Sequence, residues 1–236
     1  MQVVRYASSS DAGEMLALWR TAFPEDTDED IAAFLERFLN TAVVIAEDSH
    51  VVSMLFLLPA SLYCSERDMP VSYIYAGATA PTHRSQGLYR RLIEFAAVEA
   101  AQRGCAALFL RPADEALAES YRRMGFVVPL YTARAADICG TTVDAAAYMR
   151  EKHACLARLL VPHIVWSPAV DEYLQSFTTA YRDANGDLML ASQDGVCLEY
   201  VRASHADARL MAGLLRPLNN ETFAQLAPIY MGYGLE

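Results

Sequence analysis

The sequence predicts an α/β fold. A mixed central sheet flanked by helices is expected over residues 1–138, and a smaller helix-plus-meander unit over 139–236. Three observations lead there. Short runs rich in Val, Ile, Leu and aromatic residues alternate with helical-period segments in the order β-α-α-β-β-β-α-β-α-β up to about residue 135. Strands joined across a helix are expected to run parallel. Beyond residue 138 the pattern changes to two helical segments followed by three or four short strand-like runs.

Residues 2–7 have the apolar character of a first strand. Ser8–Ser10 and Asp11 cap a helix whose apolar register is Met15, Leu16, Leu18, Trp19 and Phe23, with Pro24 ending it. The acidic run 25–30 precedes a second helix carrying Ile31, Phe34, Leu35, Phe38 and Leu39. Carboxylates at that place suit a helix N-terminus, and a negative lip over an amine-binding cleft is the functional alternative. Residues 41–47 and 50–63 form two antiparallel strands around the turn Asp48-Ser49. Met69-Pro70 feeds the central strand. Gly104 stops the helix that follows it, 105–110 is a buried strand, Asp114 caps a helix ending near Gly125, and 126–131 returns as a strand. In the tail, 142–160 and 168–181 are expected helices, the second started by Ser167-Pro168. Asn185-Gly186 is a turn, 188–191, 196–203 and 209–215 form a meander, and 229–233 adds a further strand.

The most informative stretch is 71–91. Val71, Tyr73, Ile74 and Tyr75 favour a half-buried strand, Pro81 closes it, and from Leu88 the apolar residues Leu88, Leu92, Ile93, Ala96, Ala97 and Ala100 fall at helical spacing. Between them lies Arg84-Ser85-Gln86-Gly87-Leu88-Tyr89. A cation, a hydroxyl and a glycine where unpaired helix N–H groups point outward are what a phosphate needs.

The segment from Pro81 to Leu92 resembles motif A of the GNAT superfamily of N-acetyltransferases, Arg/Gln-x-x-Gly-x-Gly/Ala after a strand, with Arg84 and Gly87 at the first two defined positions. Tyr89 stands where Gly or Ala is usual, as in a bacterial branch that includes the Eis-like two-domain enzymes. Tyr121-Arg-Arg-Met-Gly125-Phe126 is similar to the family's Tyr-x-x-x-Gly-Phe. The resemblance implies an acyl-CoA N-acyltransferase fold, with acetyl-CoA as cosubstrate and a primary amine of a small molecule as acceptor. It also implies that the tail is a partial second GNAT-like unit. The tail carries no second Arg-x-x-Gly turn, so no second cofactor site is expected.

By the same resemblance, backbone groups of Gly77, Ala78 and Thr79 align the pantetheine arm and polarise the acetyl carbonyl. Amides of Ser85, Gln86, Gly87, Leu88 and Tyr89, with Arg84 and Arg90, hold the pyrophosphate. Tyr121 is the expected general acid to the departing thiolate. Glu25, Asp26 and Tyr75 are expected at the acceptor amine. The central strand carries no carboxylate, which leaves three candidates for the base: ordered water, a carboxylate of the 25–30 run, or the C-terminal carboxylate at Glu236, in that order. His83, beside the loop, is expected to be structural. The rival reading is a GNAT-fold regulator or sensor that binds an acyl-CoA without efficient turnover.

Composition narrows the rest. A formal net charge of −10 disfavours nucleic acid and suits a cationic substrate. No apolar run reaches the ~18 residues of a membrane span and no secretory leader is visible, so a cytoplasmic protein is expected. Five scattered cysteines suggest neither a disulfide framework nor a zinc site, and no metal is expected. A homodimer is allowed by the sequence but not specified by it.

Overall fold

The computed structural model describes residues 1–135, 137–203, 210–219, 223–226 and 228–232. They form two compact units, Met1–Leu58 with Ser72–Gly104, and Pro59–Val71 with Cys105–Glu236.

In the first unit, β1 (Gln2–Tyr6) pairs antiparallel with β2 (Ala42–Glu47), and β2 with β3 (His50–Cys64). The β2–β3 turn, Asp48-Ser49, puts both residues at positive φ, as a two-residue hairpin requires. β4 (Arg67–Thr79) enters from a second such turn at Ser65-Glu66. Three helices complete the unit: α1 (Ala12–Ala22), α2 (Asp28–Phe38) and α3 (Leu88–Gln102). The α2 cap is Thr27, whose hydroxyl accepts from Asp30 N at 3.2 Å. Arg5 grips Asp11 with two bonds of 2.7 and 2.8 Å, and this hydrogen bonding holds the Asp11 carboxyl far below the usual range. Asp11 thus ties β1 to the start of α1.

The second unit contains β5 (Ala107–Leu110), α4 (Glu115–Arg122), β6 (Val128–Thr132), β7 (Thr141–Val143), α5 (Ala145–Arg158), β8 (His163–Trp166), α6 (Pro168–Gln175), β9 (Thr178–Arg182), β10 (Leu188–Ser192), β11 (Cys197–Val201), β12 (Leu210–Pro217) and β13 (Ile229–Tyr230). β12 lies between β5 and β6, antiparallel to both, and β13 runs parallel to β6 and β8. A separate four-stranded sheet has the order β11-β10-β9-β7.

The tail departs from the expected helices in three places. Thr141–Val143 is a strand and α5 begins only after Asp144, which caps it by accepting from Ala147 N at 2.9 Å. α6 stops at Gln175, where Ser176 and Thr178 hydroxyls bond back to the carbonyls of Tyr173 and Leu174. Residues 178–181, expected as helix, lie in β9, in keeping with the β-branched pair Thr178-Thr179. The expected meander also divides: β10 and β11 stay together, while β12 joins the other sheet. Residue 233 of the last expected strand lies outside the described residues.

No helix of the described residues is long and apolar enough to cross a membrane. The second unit buries several charged groups among its apolar residues. Lys152 of α5 pairs with Glu199 of β11 at 3.2 Å, and both are buried. Asp171 lies beside them, its pKa pushed up by burial to about 6. Burial pushes His163 down to about 4, opposed by its bond to the Val161 carbonyl.

These two shifts act oppositely on stability. Between about pH 4 and 6 the native Asp171 holds a proton that the unfolded chain releases, so its contribution falls as pH rises. Native His163 refuses a proton that the unfolded chain takes up below its ordinary 6.5, so its contribution falls as pH drops towards 4. The parent chain is therefore expected to show a shallow stability profile over this window. Asp171→Asn should leave the histidine slope uncovered, losing roughly 2–3 kcal/mol more than the parent between pH 6.5 and 4. Urea unfolding at several pH values measures this, and parallel profiles for the two proteins would count against it.

Candidate active site

The end of β4 is irregular for a physical reason. Ala76 sits at φ +47, a conformation that side chains rarely adopt, and the pleat breaks just before the exposed Gly77. Beyond the break the strand is pinned. Ser53 of β3, fully buried, donates to the Ala78 carbonyl at 2.9 Å and lies 2.8 Å from the Thr79 hydroxyl. Ala80 N donates to Val52 O at 2.9 Å. In the sequence Ser53 is only an interruption in an apolar run. A polar residue within an apolar strand was the available signal.

The turn that follows is stitched to the strand. Arg84 Nε donates to Thr79 O at 3.2 Å, and Gln86 Nε2 to Thr82 O at 3.3 Å. His83 has Glu47 at 2.9 Å from one ring nitrogen and Thr82 at 2.9 Å from the other, so it is a structural residue of the turn. Ser85 (φ +61) and Gly87 (φ +73) turn the backbone into α3. Residues 84–87 are exposed, and a Cβ placed on Gly87 would meet nothing within 4 Å.

Charge sets this helix entrance apart. The first turn of α2 carries Asp28, Glu29 and Asp30, and that of α4 carries Glu115, as the helix dipole favours. The first turn of α3 carries no acid and has Arg90 and Arg91 instead. Cations where the dipole is already positive are costly unless an anion joins them. Arg91 donates to Gln2 Oε1 of β1 at 2.5 Å.

Tyr89 has a matched partner on the strand. A Cβ at Gly77 would lie 2.6 Å from Tyr89 Cε2 and Cζ, so the phenol ring fits only because residue 77 is glycine. The bulk at position 89 and the missing side chain at 77 compensate each other.

Two of the three residues expected at the acceptor, Asp26 and Tyr75, touch one aromatic cluster of the first unit. Trp19 contacts Phe34, Phe56 and Tyr75 at centroid distances of 5.1, 5.5 and 5.8 Å. Asp26 Oδ2 accepts from Trp19 Nε1 at 2.7 Å, which links the acidic run to that cluster, while Glu25 is exposed. Tyr75 is half-buried. Tyr121 belongs to the second unit, on α4, edge-on to Phe126 at 5.7 Å. Glu236 lies outside the described residues. In the sequence Trp19 and Phe34 are legible only as helix-register residues, since neither carries a sign of the ring it meets on another element.

A family model described as an acetyltransferase (GNAT) domain matches residues 3–128. The chain belongs to the GNAT acetyltransferases. Solved structures show the same fold at low identity. A GCN5-related N-acetyltransferase from Kribbella flavida superposes with a TM-score of 0.70 at 16% identity, covering 92% of this chain and 72% of that one. Eis1 from Mycobacterium abscessus gives 0.63 at 14% identity, covering 92% and 74%. A GNAT N-acetyltransferase from Escherichia coli, solved in complex with CoA, gives 0.51 at 16% identity, covering 99% and 89%. No curated protein sequence matches the chain.

Proposed function

We propose that this GNAT protein is an N-acetyltransferase that moves an acetyl group from acetyl-CoA directly to a primary amine of a small molecule. The observation that carries the reading is the entrance of α3: open, glycine-led, and flanked by arginines where acids are usual. Such a site suits a diphosphate, and CoA is the diphosphate ligand of the E. coli neighbour. Acetyl-CoA would supply an acetyl thioester whose carbonyl carbon takes the amine nitrogen while the carbon–sulfur bond breaks.

Each residue then has a task. Amides of Ser85, Gln86, Gly87, Leu88 and Tyr89, with Arg84 and Arg90, hold the pyrophosphate. Backbone groups at Gly77, Ala78 and Thr79 orient the pantetheine arm and the acetyl oxygen. Tyr121 gives its phenolic proton to the leaving thiolate. The amine's proton leaves to water or to the acidic run, since residues 71–79 of β4 carry no carboxylate. Glu25, Asp26 and Tyr75 hold the cationic acceptor. Residues 1–138 carry the cofactor chemistry, and residues 139–236 add β12 to β5 and β6 without a second cofactor site.

The missing strand carboxylate favours one second reading, an acyl-CoA-binding regulator without efficient turnover. Acetyl-CoA consumption across a panel of amines separates the two, because tight CoA binding with no rate on any amine selects the regulator. Tyr121→Phe is expected to lower kcat about 10- to 100-fold with little change in acetyl-CoA affinity. An unaltered kcat removes Tyr121 from the chemistry.

A further inference from the structure

The second unit contains a cleft of about 550 Å³ built from its own residues, between the end of β6, strands β10 and β11, and the start of β12. That volume lies within the range of small-molecule sites. Its lining is amphipathic. Met189 is fully buried and Leu210 half-exposed, and between them they offer apolar surface. Arg134 and Arg202 add two guanidinium groups, with Asp137 as an opposing carboxylate. Arg202 lies over the Tyr200 ring at 5.6 Å, and the Tyr200 hydroxyl is anchored on Asp187 at 2.5 Å. Contact with the Tyr200 side chain holds this guanidinium at the cleft.

We propose that this cleft binds a small amphipathic monocarboxylate, with its head on Arg134 and Arg202 and its body against Met189 and Leu210. Planar guanidinium forks match a carboxylate. Asp137 offsets one of the two cations, so the lining suits a single negative charge better than a phosphate dianion. The apolar wall calls for a hydrocarbon portion.

Octanoate is the probe, with octylamine and octanol as controls, followed by calorimetry and by the methionine methyl signals of the full chain. Saturable octanoate binding that shifts the Met189 methyl, assigned through Met189→Leu, is the expected result. Arg134→Gln/Arg202→Gln should weaken it about tenfold or more while thermal stability and acetyl-CoA binding stay as in the parent. Absence of saturable binding overturns the proposal. So does octylamine binding as tightly as octanoate, an unchanged affinity in the double variant, or shifts confined to Met15 and Met54 of the first unit. Acetyl-CoA affinity, measured on the same samples, separates failure here from failure of the acetyltransferase reading.

Discussion

Gly87→Glu is expected to abolish acetyl-CoA binding while leaving the chain folded. The new side chain meets open space, since nothing lies within 4 Å of a Cβ at this position. The backbone cost is modest: φ is +73, and a non-glycine residue in that conformation loses about 1–2 kcal/mol. The electrostatic effect is larger. A carboxylate fixed at the positive end of α3 neutralises the field of the first-turn amides and stands beside Arg84 and Arg90, where the pyrophosphate would bind. A drop in affinity of at least about a hundredfold is expected, equivalent to roughly 3 kcal/mol. Gly87→Ala separates the two effects, because it carries the same backbone strain without the charge. Its affinity should fall only a few-fold. Calorimetry with acetyl-CoA, beside thermal melts, reads both variants. Unchanged affinity in Gly87→Glu would falsify the assignment of this turn to the cofactor.

The helix entrance was legible in the sequence because its parts are local. Pro81 must end a strand, Gly87 permits a left-handed turn, and the apolar spacing from Leu88 is helical, so one short window specifies the geometry. What was not legible depends on residues far apart or on conformations that composition does not advertise. Ser65-Glu66 forms a tight hairpin at positive φ without the Asn or Gly that usually marks one. Ala76 gives no sign of the left-handed break it makes in β4. The fit of Tyr89 over Gly77 joins residues on two different elements, so position 89 alone looks only like a departure from the motif. In the tail, β12 inserts between β5 and β6 at a sequence distance of about one hundred residues from β5, and no periodicity encodes such a partner. Residues 178–181 read as helix in the sequence because a strong start signal at Ser167-Pro168 says nothing about where a helix stops.

Lys152→Met is expected to be among the most destabilising single changes available in the second unit. The Lys152 and Glu199 side chains are 6% and 1% exposed, and Lys152 Nζ lies 3.2 Å from each Glu199 oxygen. The packing around them leaves no room for adjustment: a Cβ at Gly232 would lie 2.5 Å from Glu199 Oε1 and 3.2 Å from Lys152 Nζ. Removing the cation strands a carboxylate in this enclosure, with Asp171 adding repulsion. Loss of one partner of a buried pair costs about 3–5 kcal/mol. Against a total stability of roughly 5–15 kcal/mol, that is a large fraction. Lys152→Met/Glu199→Leu removes both charges and should recover most of the loss, because two desolvation costs disappear together with the attraction. Urea unfolding of the three proteins completes the comparison. A single variant as stable as the parent would show that Glu199 does not depend on this lysine, and a double variant as unstable as the single one would assign the loss to packing. Hydrogen exchange adds a local readout: residues 229–232, which carry β13 and end on Gly232 over the ion pair, should lose protection first in the single variant.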